Sequence, residues 1–204
     1  MRHIHFGAAG FCALTLAAVL AGACSNSDSL SGRSNGNVLF TMGGPTTQAA
    51  RVGATSPVTL SDGTGRTITS ASISLSSILA RNLDGQLIDV TMALPVTVDL
   101  VGLVQGRTVD LPIGSLPVGS YDQLVIVIRS LNVELSDGTL IDVTPPGGGW
   151  TAIVQVEAFE VIDGQVTTVN LHFRSDGAFH WLDGELEFNP GFDCDVDRDD
   201  DGDD

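Results

Sequence analysis

Only a few residues of this 204-residue chain have the type and spacing that chemistry needs. Cys24 closes Leu20-Ala21-Gly22-Ala23-Cys24, a run of small residues behind an apolar segment. That is the spacing at which an exported chain has its cysteine thiol alkylated by lipid. Near the other end, Asp197-Arg198-Asp199-Asp200-Asp201-Gly202 places carboxylates at the first, third and fifth positions of a calcium loop and glycine at the sixth. Asp197, Asp199 and Asp201 are therefore the candidate metal ligands. The bidentate glutamate that closes such a loop has no counterpart before Asp204. The expectation is weak calcium binding or a solvated acidic run, with no other cofactor.

Groups suited to catalysis are sparse. After Cys24 the only histidines are His172 and His180. An acyl-transfer triad needs a histidine within reach of both a nucleophile and a carboxylate, and nothing in the sequence puts a serine beside either. Two histidines without a clustered third ligand also make a poor zinc site. Gly32-Arg33-Ser34-Asn35-Gly36 matches G-x-S-x-G. That motif works only on a strained turn between a strand and a helix, and here it lies in a polar linker. Glu185 and Glu187 share one face of an expected strand. Glycosidase carboxylates oppose each other across a cleft, so this pair reads as a solvated edge that discourages pairing with another chain. No catalytic residue is assigned. Trp150, after Pro145-Pro146-Gly147-Gly148-Gly149, and Trp181 are the candidate ligand-binding residues, as stacking platforms for a sugar. Packing at a corner of the core is the competing use of both indoles.

The elements that would carry these residues begin with an export signal. Arg2, His3 and His5 give a polar start, and Phe6 to Leu20 is apolar but too short to cross a bilayer comfortably. Residues 1–23 are expected to be removed as a signal peptide, leaving Cys24 as the lipidated first residue of a bacterial lipoprotein. Two or more acyl chains hold a protein stably where one holds marginally. Cys12 leaves with the signal, so Cys194 is the remaining thiol and no internal disulfide can form. Residues 24–36, polar and rich in serine, glycine and asparagine, read as a flexible stalk. Residues 37–192 form the body, long enough to fold on its own core. Residues 193–204 read as a disordered acidic tail. All 25 acidic residues follow Cys24, against eight arginines (nine less Arg2) and no lysine, a net of −17. A surface this negative repels nucleic acid and anionic headgroups. The expected location is the bacterial cell envelope, facing the periplasm or the exterior. Ser25 after the cysteine favours the outer membrane where one exists.

The body reads as strands. Asp62-Gly63, Asp84-Gly85, Asp137-Gly138, Asp163-Gly164, Asp176-Gly177 and Asp183-Gly184 supply the positive φ that tight hairpin turns require. Between them lie Ile68–Leu75, Gln86–Met92, Val96–Val101, Leu124–Ile128, Thr151–Val156, Val166–Phe173 and Phe179–Phe188. In Val169-Asn170-Leu171-His172-Phe173-Arg174 the alternation puts Val169, Leu171 and Phe173 on one face and the polar residues on the other. A single helical turn fits only Ser76 to Arg81. About eight to ten short strands at this spacing predict an all-β, antiparallel β-sandwich.

Pro95-Val96-Thr97-Val98-Asp99-Leu100, then Leu103, Gly106, Leu111 and Leu116-Pro117-Val118-Gly119-Ser120-Tyr121 before an apolar strand, resembles the domain-of-unknown-function family 4382 (DUF4382) of bacterial lipoprotein-type domains. Phe159-Glu160-Val161, Thr167 to Phe173 and Leu186 to Phe192 also fit. The resemblance implies a transthyretin-like or immunoglobulin-like sandwich and brings no catalytic residue with it. The Leu116–Tyr121 segment also has a local reading: Pro117 presets a turn, Gly119 relieves its exit and Tyr121 packs where the strand begins. The expectation is a membrane-anchored, non-enzymatic domain for binding, adhesion or envelope structure, partnered by the membrane through Cys24 and by an envelope glycan or protein. The rivals are an envelope polysaccharide or ester hydrolase working through His172 or His180, and a small-ligand carrier, which needs a large apolar cavity.

Overall fold

A computed structural model of the chain describes residues 34–45, 60–61 and 64–197. The signal segment, Cys24, most of the stalk, Asp199 and Asp201 lie outside the described residues. In chain order the strands are β1 (Asn35–Gly43), β2 (Leu60–Ser61), β3 (Thr67–Asn82), β4 (Leu87–Asp89), β5 (Val96–Asp99), β6 (Val109–Asp110), β7 (Gly114–Pro117), β8 (Gly119–Leu135), β9 (Leu140–Val143), β10 (Trp150–Val161), β11 (Val166–Phe173), β12 (Phe179–Leu182), β13 (Glu185–Phe188) and β14 (Phe192–Asp197). The fold is all-β and sandwich-like. One sheet runs β14-β11-β1, with β6 and β7 both on the far side of β1. The second is built on β3 and β8, with β10 and β9 beside β8, and β2, β4 and β5 beside β3. The β12–β13 hairpin stands apart as a two-stranded sheet.

The inner faces share one core. Val38, Phe40, Met42, Val169, Leu171 and Phe173 from the first sheet join Ile73, Ile78, Leu124, Ile126, Val154 and Phe159 from the second. Full burial of each such side chain contributes about 1.5–3 kcal/mol over leaving it in water, enough to hold a domain without disulfides. Among the described strands pairing is antiparallel except between β1 and β11, which run parallel from Asn37 opposite Val166 to Gly43 opposite His172. Parallel neighbours need a long crossover; here the second sheet lies between them in the chain.

β3 and β8 are long because each absorbs a phase change. Along the middle of β3 the inward side chains run Ala71, Ile73 and Leu75, then Ile78 and Ala80; along β8, Leu124, Ile126 and Ile128 give way to Leu131, Val133 and Leu135. Register shifts around Leu75 leave Ser76 and Arg129 as the extra residues, side by side on the two strands. Such bulges turn a strand and let it keep its apolar side inward. The Ser76 hydroxyl donates to the Val127 carbonyl at 3.2 Å and steadies the break.

Several expectations need correction. Ser76–Arg81 is strand; the helical turn is α1 (Leu100–Val104), capped where the Gly102 N–H donates to Asp99 Oδ1 at 3.0 Å. The body is wider than residues 37–192. β1 starts at Asn35, inside the expected stalk, and Gly36 is required there because a Cβ would lie 2.5 Å from the Ile162 carbonyl oxygen. Asp193 to Asp197 are strand β14 rather than disordered tail, since Phe192, Cys194 and Val196 alternate with the aspartates and turn toward the core. Among the described residues three Asp-Gly turns close hairpins, at Asp84-Gly85, Asp137-Gly138 and Asp183-Gly184; Asp62-Gly63 lies outside the described residues. Asp163-Gly164 instead carries the chain from one sheet to the other, and Asp176-Gly177 leads from β11 to the separate hairpin.

Candidate functional site

A polar cluster linked by hydrogen bonds lies on the outer face of the β14-β11-β1 sheet. Because β11 alternates, Asn170 and His172 point away from the core, and register sets Asn170 opposite Asp195 and His172 opposite Asp193 on β14. On the other side Thr41 stands opposite Asn170. The Thr41 hydroxyl donates to Asn170 Oδ1, and the Asn170 amide nitrogen donates to Asp195 Oδ2 at 3.1 Å and to Asp197 Oδ2 at 3.0 Å. The His172 ring spans the Asp195 carboxylate at Nε2 and the Gly44 carbonyl at Nδ1, the latter at 3.2 Å. Its side chain is only 20% exposed.

This arrangement is closed. A histidine acting as a general base needs one nitrogen on an orienting carboxylate and the other on a hydroxyl or thiol. Here the second nitrogen meets a carbonyl, which has no proton to give, and Thr41 is committed to Asn170. The network clamps β14, β11 and the end of β1 together. His180 lies elsewhere, on β12, and pairs across the hairpin with Glu187 at 2.9 Å. Glu185 and Glu187 are exposed on the same face of β13, as their spacing predicts.

Of the candidate calcium ligands Asp197, Asp199 and Asp201, Asp197 alone is among the described residues. Asp197 is the last residue of β14 with its carboxylate on Asn170; Asp199 and Asp201 lie outside the described residues. No group of three or more His, Cys, Asp or Glu side chains is arranged for a metal ion among the described residues. Ser34 of the G-x-S-x-G match leads into a strand rather than a helix, and its carbonyl accepts from the Val118 N–H at 2.9 Å.

Both tryptophans are partly buried against the core. Trp150 meets Phe188 edge to face, with centroids 5.3 Å apart, and the Arg66 guanidinium lies 4.8 Å from the Trp181 ring centre. These contacts fit corner packing that ties the β12–β13 hairpin to the second sheet. Cys194 is half-buried, and its thiol is pushed up to about 12 by burial and then by the neighbouring Asp195 charge, the reverse of what a reactive cysteine needs. Arg81 grips Asp122 through two bonds of 2.9 and 3.0 Å. That hydrogen bonding holds the carboxyl below its usual range and the guanidinium above its own.

Among the described residues, two of the surface grooves are well defined. One of about 440 Å³ lies between the β10–β11 turn and the end of β14, with Phe159, Glu160, Ile162, Val166, Val196 and Asp197 in its lining. The other, about 350 Å³, runs over β8 and β9 at Asn132, Glu134, Leu140 and Asp142. Neither has the lining of an interior apolar cavity.

Fold and site together describe an all-β sandwich with a hydrogen-bonded polar outer face. No family model, curated protein or solved structure matches the chain.

Sequence reasoning missed Thr41, Asn170 and Asp195. Asn170 was legible as an outward residue of β11, and reading Phe192-Asp193-Cys194-Asp195-Val196-Asp197 as a period-two strand would have supplied its carboxylate partners.

Proposed function

We propose that the chain is a lipid-anchored, non-enzymatic β-sandwich of the bacterial cell envelope, held through Cys24 and serving in binding or envelope structure. The observation that carries the non-enzymatic part is the pairing of both histidines that follow Cys24. His172 is closed between the Asp195 carboxylate and the Gly44 carbonyl, and His180 pairs with Glu187. Among the described residues neither arrangement sets an imidazole against a nucleophile. The small-residue run ending at Cys24 supports the anchor, and the resemblance of the Pro95–Tyr121 region to lipoprotein-type domains points the same way.

Fractionation of cells making wild type and Cys24→Ala tests the anchor: wild type is expected in the membrane fraction and the variant in the soluble fraction or as an uncleaved precursor. Assays of the purified protein on ester and envelope polysaccharide substrates test the rest. Turnover that His172→Ala or His180→Ala abolishes would establish the hydrolase instead.

A further inference from the structure

The sandwich has one end at which exposed apolar side chains gather. Among the described residues nine large hydrophobic side chains are exposed, and five of them, Leu83, Leu87, Val118, Ile162 and Val166, belong to this end. Backbone pairing brings them together. Leu83 and Leu87 flank the β3–β4 turn, next to Asn82, which stands opposite Tyr121 at the start of β8. Val118 precedes Gly119, which stands opposite Val161, the neighbour of Ile162. Val166 stands opposite Asn37 at the start of β1. Single exposed apolar residues are ordinary on a protein surface, whereas a gathering of them marks a contact site.

The same end is where the chain enters the domain. Ser34 leads into β1, and its carbonyl accepts the Val118 N–H. Ser34 is the tenth residue after Cys24. Ten residues reach at most about 35 Å when fully extended, and a Ser/Gly-rich coil of that length averages only about 18 Å. A lipid on Cys24 therefore keeps this end near the bilayer surface, while the far end of β8, where Leu140 stands opposite Glu134, is held away from it.

Resting on the anchor proposed above, we infer that this end of the sandwich docks on the membrane surface, with Leu83, Leu87, Ile162 and Val166 entering the headgroup region. Asp84 and Asp163 lie in the two turns that carry these side chains. Their charge opposes anionic lipid and suits a zwitterionic surface. Leucine and valine at the tips of tight turns can enter an interface without carrying unpaired strand backbone into it.

The test uses full-length protein purified from membranes and reconstituted into phosphatidylcholine vesicles carrying a lipid with a quenching group near the headgroup. Leu83→Trp and Val166→Trp report on the proposed surface, and Leu140→Trp reports on the far end. Flotation with the vesicles and the acyl mass on Cys24 read the anchor separately. The expected result is flotation of all three variants, with the added emission at positions 83 and 166 shifted to the blue and largely quenched, and that at 140 unaffected. Quenching at 83 and 166 should weaken when phosphatidylglycerol is mixed in. Flotation with no quenching at 83 and 166, or with quenching at 140, overturns the docking surface and leaves the anchor standing. A blue shift without quenching means that protein, such as a second copy of the chain, covers the end, and overturns it too. Absence of both flotation and acyl mass removes the anchor and the docking surface with it.

Discussion

Replacing Tyr121 by phenylalanine removes a single oxygen from a side chain that is 1% exposed. The ring stacks on Phe159 with centroids 5.5 Å apart, and the hydroxyl donates to the Pro117 carbonyl at 2.6 Å, fastening the turn between β7 and β8. Tyr121→Phe keeps the stack and loses the bond. A net hydrogen bond contributes about 0.5–1.5 kcal/mol. Pro117 is only partly buried, so water can replace the donor and the loss belongs in the lower half of that range. For a domain of this size Tm should fall by about 2–4 °C for each kcal/mol. Tyr121→Ala also empties the ring's place in the core, which costs about 3–5 kcal/mol, a large part of a typical stability of about 5–15 kcal/mol. A double-mutant cycle with Phe159→Leu should return a coupling of about 0.5–1.5 kcal/mol for the stacked pair. Thermal and urea unfolding followed by far-ultraviolet circular dichroism measure all of these. A Tyr121→Phe variant as unstable as Tyr121→Ala, or a coupling of zero, would refute the reasoning.

Three other outcomes are expected. The Asp122 carboxyl titrates lower in the folded state because Arg81 hydrogen-bonds it. The stability it contributes is complete above the unfolded carboxylate value, about 3.9, and is lost as pH falls through the lower folded value. Asp122→Asn should therefore flatten that part of the acid limb in a stability–pH profile, and an unchanged limb would count against the pair. The Cys194 thiol, pushed up to about 12 by burial, should react with iodoacetamide slowly in the folded protein and quickly in urea; rapid labelling of the native state would contradict its burial. Calcium should associate with the acidic C-terminal residues only on the order of millimolar, as in weak extracellular modules, without raising Tm, since stabilisation requires preference for the folded state. A micromolar site that raises Tm in calorimetry would make Asp197, Asp199 and Asp201 a true calcium element.

Local pattern carried the strands and little of their partnership. β11 was readable to the residue because Val169, Leu171 and Phe173 alternate cleanly with Asn170 and His172. β3 was readable only as far as Leu75, where the bulge at Ser76 reverses which residues face inward. Asp-Gly fixes a tight turn by its backbone conformation, but the turn does not dictate which sheet the next strand joins; Asp183-Gly184 closes a hairpin and Asp163-Gly164 changes sheets. The parallel β1–β11 pair joins the first strand to one near the other end of the body, and no local signal encodes it. The polar network was hidden for the same reason. Its contacts between Thr41 and Asn170 and between His172 and Asp195 exist only once register is set. The acidic strand β14 is obscured by its aspartates, which give it the composition of a solvated run, although Phe192, Cys194 and Val196 keep a regular inward period.

The intact mass of the protein extracted from membranes tests the central claim most directly. The account predicts a chain beginning at Cys24, with Met1–Ala23 removed and the mass of a diacylglycerol group plus an amide-linked acyl chain added, all of it lost in the Cys24→Ala variant. A chain that begins at Ser25, or that keeps Met1 and carries no acyl mass, would contradict it.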